Sequence, residues 1–206
     1  MRVLIGIPSM DMVSVHFARS LVTLAKMDIC SISFVVNSLI YSARNIIAQQ
    51  AIDGYYDYVL WLDSDMVFQP DTLQKLLADD KDIVSGLYFR RVEPFNPVLF
   101  KKLDIKGHEC DFEDVTEYPD ELFPVAGAGF GCILMKTQVL RDIYEKDGPI
   151  WFAPMGNVGE DCAFCIRARK YGYTVYCDPK IKLGHAGSVI ITEENYGRHL
   201  AHDAKN

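Results

Sequence analysis

The sequence has no apolar run approaching the roughly 20 residues needed to cross a bilayer. Its opening stretch, Met1-Arg2-Val3-Leu4-Ile5-Gly6-Ile7-Pro8, is too short for a signal peptide and reads as a first strand. These two absences predict a cytoplasmic protein without a transmembrane segment, with peripheral membrane contact left open. Basic charge is also scarce: 21 Lys and Arg face 28 Asp and Glu, a formal net charge of -7. A nucleic-acid surface needs a basic stripe, so that class of partner is disfavoured. The six cysteines are scattered along the chain, without the dense spacing of a disulfide scaffold. Cys162 and Cys165 form a lone C-x-x-C inside a helical pattern, which fits buried free thiols better than zinc or redox chemistry. No internal repeat, low-complexity tract or linker divides the chain, so residues 1–206 read as one domain.

At 206 residues, half of them hydrophobic and 24% charged, the chain can bury a substantial core. Strand and helix patterns alternate through its first half. Arg2 to Ile7 predicts a strand stopped by Pro8-Ser9. Ser14 is placed to cap a helix whose inner face carries Phe17, Leu21, Leu24 and Ala25. Ser31 to Val36 predicts a strand, Ser42 to Ala51 a helix and Tyr58 to Leu62 a buried strand. Pro70 opens a short helix, where its missing N–H costs nothing, and Ile83-Val84 begin another strand. This order predicts an α/β fold with a mainly parallel, doubly wound sheet flanked by helices.

The second half is less periodic. Residues from about 94 to 124 read as an exposed excursion, strongly acidic between His108 and Glu121. Gly131 to Met135 predicts a strand, and Thr137 caps a helix through Tyr144. After the loop from Gly148 to Gly159, a helix runs from Glu160 to Tyr171 and ends at Gly172. Tyr173 to Cys177 predicts another strand. His185 sits in a glycine-flanked loop, and the tail is helical from Glu193.

The chemistry concentrates in Tyr58-Val59-Leu60-Trp61-Leu62-Asp63-Ser64-Asp65. A buried strand of a parallel sheet delivers two carboxylates to the sheet's carboxyl edge, where open α/β folds bind ligands. Two aspartates in a short bend can hold one hard divalent cation and leave positions free for substrate phosphates. A polar turn after a strand is the plainer reading of the same residues.

Four pieces in order make the chain resemble GT-A-fold glycosyltransferases, most closely the small family-2-type enzymes. Asp63-Ser64-Asp65 is similar to their D-x-D. Ala43-Arg44-Asn45 resembles the A-R-N opening the preceding helix. Gly159-Glu160-Asp161 followed by Arg167 resembles the E-D…R element of inverting members, and His185 resembles the late histidine of the metal shell. The resemblance implies a nucleotide-binding half at 1–90 and an acceptor half with the C-terminal tail at 91–206. It implies Mn2+ or Mg2+ on Asp63, Asp65 and His185, and a nucleotide-diphosphate sugar, with UDP as the expected nucleotide, bound by Pro8, Ser9, Arg44, Asp63, Ser64 and Asp65. It further implies Asp161 as general base, with Glu160 orienting a glycan, lipid, protein or small-molecule acceptor, and inversion at the anomeric carbon.

Several residues keep two readings. Arg44 is a donor fork for the nucleotide or a solvated helix arginine. Arg90-Arg91 is a solvated pair or helps hold phosphate. Gly127-Ala128-Gly129-Phe130-Gly131 makes room under a sugar or is a glycine turn, and Trp151 and Phe152 form a sugar platform or belong to the core. Two other functions compete. Asp63-Ser64-Asp65-Met66-Val67 also fits the D-x-D-x-[TV] of haloacid-dehalogenase-type phosphatases, although that motif normally ends the first strand. A non-catalytic nucleotide-sugar-binding domain would bind donor without turnover.

Overall fold

The structure, a computed structural model, describes residues 1–24, 26–187 and 190–203. Ala25, expected on the inner face of the first helix, lies outside the described residues. The chain runs β1 (Val3–Ser9), α1 (Val15–Leu24), β2 (Cys30–Val36), α2 (Ile40–Asp53), β3 (Tyr58–Leu62), β4 (Met66–Val67), α3 (Thr72–Ala78) and β5 (Ile83–Leu87). It continues through β6 (Leu99–Lys106), β7 (Glu109–Asp114), β8 (Phe123–Val125), β9 (Gly127–Ala128) and β10 (Cys132–Lys136). It ends with α4 (Thr137–Asp147), α5 (Glu160–Lys170), β11 (Val175–Lys182), β12 (Gly184–Ala186), β13 (Ile190–Ile191) and α6 (Glu193–Asp203).

Seven strands form the central sheet in the order β2-β1-β3-β10-β5-β11-β8. β1 pairs in parallel with β2 and β3, and β5 pairs in parallel with β11. β10 runs antiparallel between β3 and β5, and β8 antiparallel beside β11. The sheet is therefore mainly parallel, as expected, with one reversed strand inserted at its centre. Helices cover both faces, which is why β3 is buried on both sides. Val59 and Trp61 enter one core cluster, and Leu60 and Leu62 enter the other.

Local signals explain several boundaries. The Ser14 hydroxyl accepts the Phe17 N–H at 3.0 Å and caps α1, which buries Phe17, Leu21 and Leu24. Gly172, at φ +88°, follows α5. Its N–H donates to the Arg169 carbonyl at 3.0 Å and the Tyr173 N–H to that of Ala168 at 3.1 Å, a Schellman closure. Thr137 does not cap α4: it is the first helical residue, the cap position is Lys136, and the buried Thr137 hydroxyl has no protein partner.

The stretch from 94 to 124 differs more from expectation. It contains the β6–β7 hairpin, which buries Leu99, Phe100 and Leu103 while its outer side carries ion pairs such as Lys101–Glu113 at 2.6 Å and Lys102–Asp111 at 2.8 Å. Charges on the exposed face hid the strand alternation. His185 also lies on a strand, β12, which bridges β13 and β4 in a small separate sheet.

Candidate functional site

β1 and β3 run parallel, so their carboxyl ends open on the same edge. There a cleft of about 230 Å³ is bounded by Pro8, Ser9 and Met10 from the end of β1, by Ser38 and Ile40 at the start of α2, and by Asp63, Ser64 and Asp65 after β3. The structure thus brings together five of the residues expected at a nucleotide: Pro8, Ser9, Asp63, Ser64 and Asp65. The Asp63 N–H bonds the Gly131 carbonyl at 3.1 Å, and the Met66 N–H closes the bend onto the Asp63 carbonyl at 3.1 Å.

Arg44 is neither solvated nor part of the cleft wall. It is 2% exposed and sits behind the acidic bend, where Nη2 donates to Asp63 Oδ1 at 2.8 Å and Nε reaches Glu160 Oε1 at 3.4 Å. The guanidinium also lies 5.2 Å from the Phe130 ring centre. Burial alone would lower its pKa, but Asp63, Glu160 and Asp161 reverse that and raise it, so Arg44 is a fixed positive charge. It ties the D-x-D bend to the first turn of α5, joining residues 116 positions apart. Desolvation raises the Asp63 pKa, with Asp65 and Glu160 adding to it and Arg44 opposing. A third of the side chain stays exposed, so solvent softens this rise.

Asp65 meets a different set of partners. Its Oδ2 lies 3.2 Å from Arg91 Nη1 and 3.4 Å from His185 Nε2. The backbone locks this contact, because the Ala186 N–H donates to the Asp65 carbonyl at 2.7 Å. Burial pushes the Asp65 carboxyl upward, but the His185 contact and the Arg91 charge outweigh it and leave the pKa below its ordinary value. His185 Nδ1 lies 2.9 Å from the Phe89 carbonyl, which can only accept, so Nδ1 carries the hydrogen. Nε2 faces Asp65 Oδ2, and either a proton or a metal cation between the two atoms satisfies both. Among the described residues no three His, Cys, Asp or Glu side chains converge closely enough to hold a metal alone. Asp63 is committed to Arg44, while Asp65 and His185 offer one carboxylate and one imidazole. That pair suits Mn2+ or Mg2+ when ligand oxygens complete the shell.

Glu160 and Asp161 open α5, as expected, and both are partly buried. The Cys162 N–H donates to Asp161 Oδ1 at 2.7 Å. Arg167, the distal member of the E-D…R element, is buried and donates to the Trp151 and Ala153 carbonyls at 2.9 and 2.8 Å, bracing the loop before α5. Asn45 braces the same loop by accepting the Phe152 N–H at 2.9 Å.

Trp151 and Phe152 are core residues, 1% and 0% exposed, and form no sugar platform. Two glycines of the run, Gly129 and Gly131, are explained by Tyr88, whereas Gly127 backs onto Leu103 and Cys165. A Cβ at Gly129 would come within 2.2 Å of the Tyr88 hydroxyl, and one at Gly131 within 2.8 Å of its ring. Tyr88 accepts the Gly131 N–H at 3.1 Å and packs edge-on to His185, with ring centres 5.5 Å apart. Gly129 and Gly131 thus make room for a tyrosine that packs between the acidic bend and the histidine strand. Tyr88 carries no signal in sequence, since a lone tyrosine after a strand looks like any core aromatic. Cys110, Cys162 and Cys165 are free thiols, and burial pushes the Cys165 pKa up to about 12.

The Anp1 family model matches residues 37–106, about a third of the chain. The matched span contains Arg44, the acidic bend and Arg91, and stops before Glu160 and His185. No curated protein matches the chain. Among solved structures, the crystal structure of A197 from STIV superposes with a TM-score of 0.67 at 22% identity, over 91% of this chain and 86% of that one. At that identity the likeness shows the fold: a mixed α/β domain around a mainly parallel sheet of the A197 type.

Proposed function

We propose that this chain is a glycosyltransferase of the GT-A type, moving a sugar from a nucleotide-diphosphate donor to an acceptor hydroxyl. The observation that carries the reading is the arrangement at the sheet edge, where Asp65 and the oriented Nε2 of His185 face each other beside an open cleft. The partial match to Anp1, a glycosyltransferase-related family, supports it. The mainly parallel sheet with helices on both faces fits the GT-A expectation, to which the reversed β10 is an addition.

In this reading Asp65 and His185 hold a divalent cation, and Asp63 shapes the bend under the restraint of Arg44. When bound, the cation neutralises the departing diphosphate as a Lewis acid. Pro8 and Ser9 border the nucleotide, with UDP the first candidate. The cleft is smaller than the ~300 Å³ typical of ligand pockets, so a whole nucleotide sugar extends past its rim. Asp161 accepts the proton of the attacking acceptor hydroxyl, and Glu160, fixed by Arg44, orients that acceptor. With Asp161 on α5 as base and the diphosphate beside the bend after β3, this reading takes the transfer as a single displacement with inversion. Arg44 on Asp63 Oδ1 also argues against the phosphatase alternative, which needs Asp63 as a free nucleophile.

A thermal-shift screen of nucleoside diphosphates and their sugars, with and without Mn2+, tests the reading. A shift that needs both metal and a diphosphate supports it. Release of phosphate from simple phosphomonoesters, with no nucleotide effect, would replace it by the phosphatase. Anomeric analysis of the transfer product then decides between inversion and retention.

A further inference from the structure

Two basic groups share one oxygen of Asp65. Arg91 Nη1 is 3.2 Å from Oδ2 and His185 Nε2 is 3.4 Å from it. The same Nη1 donates to the Ala186 carbonyl at 3.1 Å, next to His185. The other arginines nearby are committed elsewhere: Arg44 is buried against Asp63 and Glu160, and Arg90 pairs with Asp114 at 2.7 Å. Among the described residues, Arg91 alone of the arginines combines contact with the acidic bend and a half-exposed side chain, 48% of which is exposed.

We infer that Arg91 is a placeholder cation: in the free protein it holds the charge of Asp65, and on loading it transfers to the diphosphate of the donor. The inference rests on the metal and nucleotide reading given above. A divalent ion held by Asp65 would sit directly on its carboxylate oxygen. With a guanidinium nitrogen on that same oxygen, the two positive charges repel strongly. Metal entry therefore displaces Arg91 from Oδ2. The nearest anion for the released guanidinium is the diphosphate arriving on the metal, and its planar fork matches phosphate oxygens. Arg91 thus opposes binding of metal alone and favours binding of metal with diphosphate, which makes the two ligands cooperative. A purely structural arginine would not give effects of opposite sign.

The test titrates MnCl2 alone, then UDP at saturating Mn2+, into the full chain and into Arg91→Ala and Arg91→Lys, with melting temperatures confirming that each variant folds. Arg91→Ala is expected to bind Mn2+ alone roughly fivefold tighter and UDP with Mn2+ about tenfold more weakly. Arg91→Lys keeps the charge without the fork, so its Mn2+ affinity stays near that of the parent while UDP weakens. Mn2+ binding no tighter in Arg91→Ala, or UDP binding no weaker, overturns the inference. The parent arm tests the underlying reading separately: if the unmodified chain binds neither Mn2+ nor UDP, the metal and nucleotide reading fails and the placeholder falls with it.

Discussion

At the scale of single residues, the site depends on where three carboxylates find positive charge. Asp63 and Glu160 share the buried guanidinium of Arg44, and Asp65 shares Arg91 and His185. Removing one partner of a buried pair strands the others, at a cost of about 3 to 5 kcal/mol. Asp63 and Glu160 keep some exposure, so Arg44→Leu is expected to lose about 3 kcal/mol, the lower end of that range, in urea denaturation. Arg44→Lys should fall between, because an ammonium cannot reproduce the fork that spans both carboxylates. An unchanged unfolding midpoint in Arg44→Leu would contradict this account of the bend. In the proposed reading Asp161 acts in chemistry more than in folding. Asp161→Asn is expected to lose transfer by about 10² to 10⁴-fold, the usual worth of a positioned base, while nucleotide binding persists. Glu160→Gln should lose less. Near-normal turnover in Asp161→Asn would remove it as the base. Arg44 shows where reading residues one by one runs out: its motif stood out in the sequence, but not that its partners lie 19 and 116 positions away.

At the scale of elements, one helix end carries a measurable penalty. α3 terminates at Asp79, a negative group at the negative end of a helix dipole. Burial raises its pKa to about 6, Asp178 adds to the rise, and Lys81 and Lys180 oppose it. The folded pKa lies above the ordinary 3.8, so the stability linked to this group is fully present below about pH 4 and is lost as pH rises through 6. Asp79→Asn should therefore leave the melting temperature unchanged near pH 3.5 and raise stability by about 1 kcal/mol at pH 7.5, after discounting for solvent screening. An equal effect at both pH values would show that the group does not titrate as described. Elements whose signals are local were legible in the sequence, including the Ser14 cap, the apolar run of β3 and the Gly172 closure. The β6–β7 hairpin was not, since its outer charges pair across strands and mimic a solvated loop. The direction of β10 was equally hidden: four buried residues in a row read the same for a parallel or a reversed strand.

At the scale of the whole molecule, the fold brings two distant stretches to one sheet edge. Residues 37–106 supply Arg44, the acidic bend and Arg91, while α5 and β12 return Glu160, Asp161 and His185 to it. The mainly parallel sheet followed from the strand–helix alternation, which also puts the carboxyl ends of β1 and β3 on one edge. Tyr88 and the small β4–β12–β13 sheet did not, because elements of two or three residues leave no periodicity and a wedge residue is defined by what surrounds it. Among the described residues no helix is long and apolar enough to cross a membrane. In the proposed reading Asp65 and His185 form a cation site serving a nucleoside diphosphate. Calorimetric titration of UDP into the parent chain and into Asp65→Asn, each with Mn2+ and with chelator, tests it most directly. The parent is expected to bind only with Mn2+, and Asp65→Asn under neither condition although it remains folded. Equal UDP affinity in parent and Asp65→Asn, or parent binding indifferent to chelator, would contradict it.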